Sequence, residues 1–233
     1  NTIDFISLTT AGNASDLGDF ANYSNFRESP TGFASATRGV FSGGTDNTGG
    51  GGESKNYMDY VTIASASNAT DFGNLATAVS QAAGFASTTR GITSGGYEAS
   101  SSSNVMQSVT IASTGNAEDF GDLTVARFGL GGCASATRGL SAGGTGGTDT
   151  IDFVTIASAG NASDFGDLSK ASSSNSACAD STKAVIATGT SASTNALDSR
   201  IIASTGNATD FGGLTVARIF TVAFCNGVPS GAS

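Results

Sequence analysis

The chain has 233 residues, 33 of them Gly, with no His or Trp, 12% charged residues and a formal net charge of −9. Its 10 basic residues are dispersed, so it offers no footprint for a phosphate backbone, and it contains no apolar run long enough to span a membrane. A hydrophobic fraction of 38% with 14 Phe still builds a core, which excludes wholesale disorder and predicts a folded, turn-rich, mostly β chain.

The chain starts at Asn rather than Met, which reads as a processed or partial polypeptide. Its opening NTIDFISL predicts a strand, and the next stretch, TAGNASDLGDF (10–20), returns as SASNATDFGNL (65–75), STGNAEDFGDL (113–123), SAGNASDFGDL (158–168) and STGNATDFGGL (204–214). Asn13, Asn68, Asn116, Asn161 and Asn207 mark the copies at spacings of 55, 48, 45 and 46. Residues 1–233 are therefore one unit repeated five times, with starts near 1, 56, 104, 149 and 195, and are expected to form a single domain.

Within a unit the order is VARFGLGGCASATRGLSAGG, TGGTD, TIDFVTIAS and AGNASDFGDLS, each piece of strand length. In 150–156, Ile151 and Phe153 point one way while Val154 and Ile156 share the other face, the pattern of a strand covered on both sides. The pairs Gly43-Gly44, Gly95-Gly96 and Gly143-Gly144 are predicted to end the preceding strand, with TDNTGGGGESK and YEASSSS as exposed loops. Four short strands in about 48 residues match one propeller blade, so the expected fold is an all-β, five-bladed β-propeller. Its closing blade would be shared between the N-terminal NTIDFISL and the C-terminal RIFTVAFCNG, and would have three or four strands, since Val228 to Ser233 replace the expected second strand.

Asp119-Phe120-Gly121 has the letters of the magnesium-binding tripeptide of protein kinases, but the chain has neither the Gly-rich loop with its Lys nor a His-Arg-Asp loop. The repetition predicts structural roles instead. Asn68, Asn116, Asn161 and Asn207, with Asp71, Asp119, Asp164 and Asp210, are expected to bond their own backbone in turns. Phe72, Phe120, Phe165 and Phe211, with Leu17 in the first copy, are expected to be buried anchors between blades. Cys133, Cys178 and Cys225 follow their Asn by 17, 17 and 18 residues, where Phe33 and Phe85 stand in other copies. They are read as small buried apolar residues, because a whole repeat width separates them.

Without His, acid–base catalysis would rest on carboxylates, Tyr or Lys, and imidazole-bound copper is excluded. No catalytic residue is assigned and the chain is not expected to be an enzyme. A carboxylate glycosidase would need facing acids outside the repeat, where Glu28, Glu53 and Glu98 are the irregular Glu. No cofactor is expected. Calcium is conceivable at Asp16/Asp19, Asp119/Asp122 and Asp164/Asp167, although turn capping accounts for these pairs. Arg38, Arg90, Arg138 and Lys183 share one repeat position and would form a positive belt, either pairing with repeat Asp residues across blade boundaries or binding an anion. The irregular loops, with Glu53, Tyr57 and Tyr97, are the candidate recognition surface.

Ala126-Arg127, Arg138-Gly139, Gly143-Gly144, Ile151 to Ile156, Asn161 and Phe165-x-x-Leu168 follow an order that resembles kelch repeats, with Phe where Trp is usual. More specifically, IDFVTIASxGNAxDFGDLTVAR followed by C/FASATRG is similar to repetitive kelch-like proteins of marine tailed phages, notably cyanophages, which are grouped with virion structural or tail-fibre proteins. The first resemblance implies a β-propeller. The second implies an extracellular protein of the virion surface, with other virion proteins, a host-surface glycan or protein, or further copies of itself as partners. The alternative is a cellular lectin-like or protein-binding kelch propeller.

Overall fold

The structure, a computed structural model, describes residues 2–7, 9–21, 27–46, 52–146, 148–189, 195–218 and 222–223. The protein is all-β, and among the described residues no helix is long and apolar enough to cross a membrane. A two-stranded antiparallel ribbon, β1 (Thr2–Phe5) and β2 (Ser15–Asp19), comes first. Four antiparallel sheets of four strands follow.

The first sheet contains β3 (Thr31–Ala34), β4 (Arg38–Ser42), β7 (Tyr57–Thr62) and β8 (Thr70–Asn74), with the small hairpin β5 (Thr45–Asp46) and β6 (Glu53–Ser54) inserted after β4. The second contains β9 (Ala83–Ala86), β10 (Arg90–Glu98), β11 (Ser101–Thr110) and β12 (Glu118–Asp122). The third contains β13 (Gly131–Ala134), β14 (Arg138–Ala142), β15 (Thr150–Thr155) and β16 (Ser163–Asp167). The fourth contains β17 (Ser176–Ala179), β18 (Lys183–Ala187), β19 (Ala196–Ile201) and β20 (Thr209–Gly213).

Each sheet pairs its strands in chain order, and the first strands stand next to one another, β3 by β9, β9 by β13 and β13 by β17. Backbone bonds at equivalent repeat positions link them: Gln81 N–H donates to Ser29 O at 3.1 Å, Gly129 N–H to Gln81 O at 2.8 Å, and Asn175 N–H to Gly129 O at 3.1 Å.

Burial follows from this stacking. Ile151 packs with Phe165 and Ile186 on one side of β15, whereas Val154 packs with Phe85 and Phe120 on the other, as expected for a strand covered on both faces. The Arg-Gly step also has a packing reason. A Cβ on Gly91 would lie 2.0 Å from the Phe33 ring, and one on Gly139 would lie 2.0 Å from Phe85. Where the preceding sheet carries the smaller Cys133, the position is Ala184 instead, fully buried in the same cluster. Cys133 is buried and Cys178 partly so, neither in a disulfide; Cys225 lies outside the described residues.

The repeated Asp-Phe-Gly is a β-bulge rather than a turn. The ladder slips between Met58 and Asp59, Met106 and Gln107, Ile151 and Asp152, and Leu197 and Asp198, leaving Phe72, Phe120, Phe165 and Phe211 as the extra residues. Glycine is required beside Phe72, Phe120 and Phe165 because the next sheet's chain passes at contact distance, whereas a Cβ on Gly212 would meet nothing. Gly121 has φ 136°, and a Cβ there would lie 2.5 Å from the Gly160 backbone.

Phe72, Phe120 and Phe165 are buried as expected, but Phe211 is 53% exposed. Each of the first three is covered by the sheet that follows it, and among the described residues no four-stranded sheet follows β20. The β1–β2 ribbon instead packs on the first sheet through Ile3, Val61 and Ala69, with Leu17 half-buried beside them. Most of RIFTVAFCNG and all of Val228 to Ser233 lie outside the described residues, and with them the strand count of a closing blade.

Candidate functional site

The repeat is broken most plainly between the first and second sheets. The Gly-Gly step ends the strand at Gly43 and Gly143, but not at Gly95, where β10 bulges and continues. Gly96, Tyr97 and Glu98 pair with Ser103, Ser102 and Ser101, so YEASSSS is a hairpin tip rather than a loop. The second arm of this extension is Ser101, Ser102 and Ser103, and the reversal falls on Ala99 (φ 47°) and Ser100 (φ 142°), two non-Gly residues at positive φ.

The inserted β5–β6 hairpin is held against this tip. Ser54 Oγ donates to Tyr97 O at 2.8 Å, and Tyr97 exchanges backbone bonds with Ser80 at 2.7 and 3.1 Å. The Tyr97 ring meets Phe128 edge-on at 5.0 Å. Between the two hairpins lies a cleft of about 570 Å³ lined by Glu53, Ser54, Ala78, Tyr97, Glu98 and Ser100, among others. Lys55 reaches Asp46 at 3.2 Å and Glu53 at 3.3 Å, and these carboxylates, Asp46 foremost, raise its ammonium above the ordinary range. The cleft thus presents carboxylate and hydroxyl oxygens on paired backbone, suited to hydroxyl-rich or cationic groups. Of the sequence candidates, Glu53 and Tyr97 come together here. Tyr57 does not: it starts β7, and its carbonyl accepts Arg27 Nη2 at 2.9 Å.

Three members of the basic belt bond backbone carbonyls of the next sheet. Arg38 Nη1 donates to Ile111 O at 3.1 Å, Arg90 Nη1 to Ile156 O at 3.0 Å, and Arg138 Nη1 to Ile202 O at 3.1 Å, each carbonyl lying just past the third strand of the next sheet. Each side chain also covers an aromatic ring, Arg38 over Tyr60 at 4.4 Å, Arg90 over Phe120 at 5.9 Å, Arg138 over Phe153 at 4.8 Å and Lys183 over Phe211 at 5.7 Å. The expected Asp partners are therefore replaced by carbonyls, although the bonds do cross between sheets. A strand end leaves an orphan carbonyl, and a long guanidinium reaches it without burying a second charge.

The marker Asn residues also act between sheets. Asn68, Asn116, Asn161 and Asn207 Oδ1 accept from the N–H of Asp19, Asn74, Asp122 and Asp167 at 3.1, 3.0, 3.0 and 3.2 Å. Each caps the last strand of the preceding unit rather than its own turn, taking up a backbone N–H on that sheet's edge strand. Asp71, Asp119, Asp164 and Asp210 are exposed; Asp164 and Asp210 make the expected local bonds, to Gly166 N–H at 3.1 Å and Gly212 N–H at 2.9 Å. Among the described residues no group of three or more acidic, His or Cys side chains gathers to hold a metal.

One set of residues escaped sequence reasoning. Arg27 and Asp59 form a fully buried ion pair at 3.0 Å, and Arg127 and Asp152 form its equivalent at 2.8 Å. Burial pulls the Arg127 guanidinium below its ordinary range, and Asp152 opposes that shift. The signal was a polar residue in the middle of each apolar third strand, Asp59, Gln107, Asp152 and Asp198, which demands a buried partner. A comparison with protein-family models finds none that matches the chain, and a comparison with curated proteins finds no match.

Proposed function

We propose that the protein is a non-enzymatic recognition module: a five-bladed kelch-like propeller on the surface of a tailed-phage particle, as tail fibre, tail accessory or capsid decoration. The cleft between the β5–β6 and β10–β11 hairpins would contact a host-surface glycan or protein, or a neighbouring virion protein. The observation that carries the reading is this cleft, where two irregular hairpins are locked together by Ser54 and Tyr97 on an otherwise repetitive scaffold. The kelch-like and phage-like wording of the repeat supports the particle assignment.

Ring closure is part of this proposal and has support in residue pairing. Asp4 stands at the repeat position of Asp152, and Arg218 at that of Arg127, and both are exposed. Counted from Arg218 rather than from Asn207, Phe224 instead of Cys225 stands at the position of Phe33, and Gly39 stands at that of Gly91. A closing blade made from both ends would join an Arg to its Asp, place a Phe beside its Gly and cover Phe211.

Cryo-EM of purified particles, read for propeller density, tests the assignment, and a glycan array with wild type, Tyr97→Ala and Glu98→Ala tests the cleft. Density on tail or capsid with binding lost in both variants is expected. Absence from particles, with the protein free or on cells, would replace the virion reading by the cellular one; binding unaffected by either variant would remove the cleft.

A further inference from the structure

The position before the first strand and the polar position in the third strand vary together from sheet to sheet. The first and third sheets carry Arg with Asp, as Arg27–Asp59 and Arg127–Asp152. The second carries Val79 with Gln107, whose amide is satisfied by the Thr77 backbone at 2.9 and 3.1 Å. When the cation is lost there, so is the anion. The fourth sheet breaks the rule, with Ser172 in place of Arg while Asp198 remains, 0% exposed.

Asp198 Oδ2 accepts from Ser169 N–H at 2.8 Å, but Oδ1 is buried without a hydrogen-bond partner. Two hydroxyls at the same junction, Ser172 Oγ and Thr148 Oγ1, are also buried without one, and Ser172 N–H donates to Thr148 O at 3.3 Å. The neutral part of the arginine's work is taken over. Arg127 Nη1 donates to Thr150 O at 2.7 Å, and Thr188 Oγ1 donates to the equivalent Ala196 O at 3.1 Å. Its positive charge is not.

We propose that the fourth sheet binds a hard metal cation, sodium or calcium, at Asp198 in the place taken elsewhere by the guanidinium. An ionised carboxylate buried without a counter-charge is costly, and hydroxyl and carboxylate oxygens without nitrogen or sulfur ligands select hard cations. With a single carboxylate, calcium affinity falls in the weak range of about 10⁻⁴ to 10⁻³ M. The ion completes the core and acts as a structural ligand.

Thermal unfolding of the full chain tests this, in metal-free buffer with ionic strength held by tetramethylammonium chloride while sodium or calcium chloride is titrated. Wild type should gain roughly 5 °C in Tm at about a hundredfold excess over the dissociation constant, and whichever salt produces the gain identifies the ion. Asp198→Asn should abolish the response. Ser172→Arg should abolish it too, with a metal-free Tm at least equal to that of ion-loaded wild type, whereas the exposed control Asp149→Asn should keep it. A wild type indifferent to both salts overturns the proposal, as does a response that survives Asp198→Asn. Should that variant not fold, persistence of the response in Ser172→Arg overturns it alone.

Discussion

Phe165 and Phe211 occupy the nearly identical strands SDFGD and TDFGG, both bulged at the same place, yet one is 1% exposed and the other 53%. Strand, bulge and glycine are local consequences of the repeat, and both sheets have them. Burial belongs to the following unit, which covers Phe165 in the third sheet. The same contrast runs through the charges, because the third sheet pairs its buried Asp152 with Arg127, whereas the fourth buries Asp198 with Ser172 at the arginine's repeat position. Copies of one sequence unit differ in energetics according to their neighbours.

The sharpest way to break this comparison is to empty the anchor. Phe165→Ala, like Phe120→Ala, should cost about 3–5 kcal/mol in chemical denaturation. Closure of the ring predicts a similar loss for Phe211→Ala, and a loss below about 0.5 kcal/mol there would show that the face stays bare. Arg127→Ala strands the Asp152 carboxylate and should also cost about 3–5 kcal/mol. A double-mutant cycle of Asp4→Ala and Arg218→Ala should show coupling if the fifth pair forms, and strict additivity would count against closure.

Packing between sheets gives a smaller effect. Gly139→Ala should cost about 1–3 kcal/mol by pressing on Phe85, and Phe85→Cys, which copies the Cys133–Ala184 arrangement, should recover part of it. An undiminished loss in the double variant would refute the size exchange. Asn161→Ala removes one exposed bond between sheets and should cost about 0.5–1 kcal/mol.

The smallest effect is local and depends on pH. The Asp180 carboxylate accepts from Lys183 N–H at 2.7 Å, Thr182 N–H at 2.6 Å and Thr182 Oγ1 at 2.8 Å, and these bonds hold its pKa below the ordinary value. Its contribution is therefore present above the ordinary carboxylate pKa and is lost as pH falls through the depressed one. Exchange of the Lys183 and Thr182 amides should quicken over that acid window, and Asp180→Asn should remove the pH dependence. The sister turns use Ser35, Ser87 and Ser135 in the same role and should show no such titration.

Strand positions were legible because β-branched and aromatic residues recur at fixed places between glycine-rich breaks, and Ile151 and Val154 announced a strand covered on both faces. The two hairpins of the candidate site were legible as irregular segments, and Glu53 and Tyr97 as their conspicuous members. That they share a cleft while Tyr57 lies elsewhere was not, because it depends on Ser54 bonding a backbone atom 43 residues away. Arg38, Arg90 and Arg138 were visible as a series, but their carbonyl partners stand 73, 66 and 64 residues on and carry no side-chain signature.

By itself the sequence determined an all-β chain of one repeated unit, where strands begin and break, and which positions must be apolar, because these follow from local propensity and periodicity. Tertiary structure alone decided that Asp-Phe-Gly is a bulge, that Asn161 caps a foreign strand, and that Asp198 is buried without the guanidinium its sisters have. Each of these depends on what a neighbouring sheet brings within about 3 Å, the reach of a hydrogen bond or an ion pair.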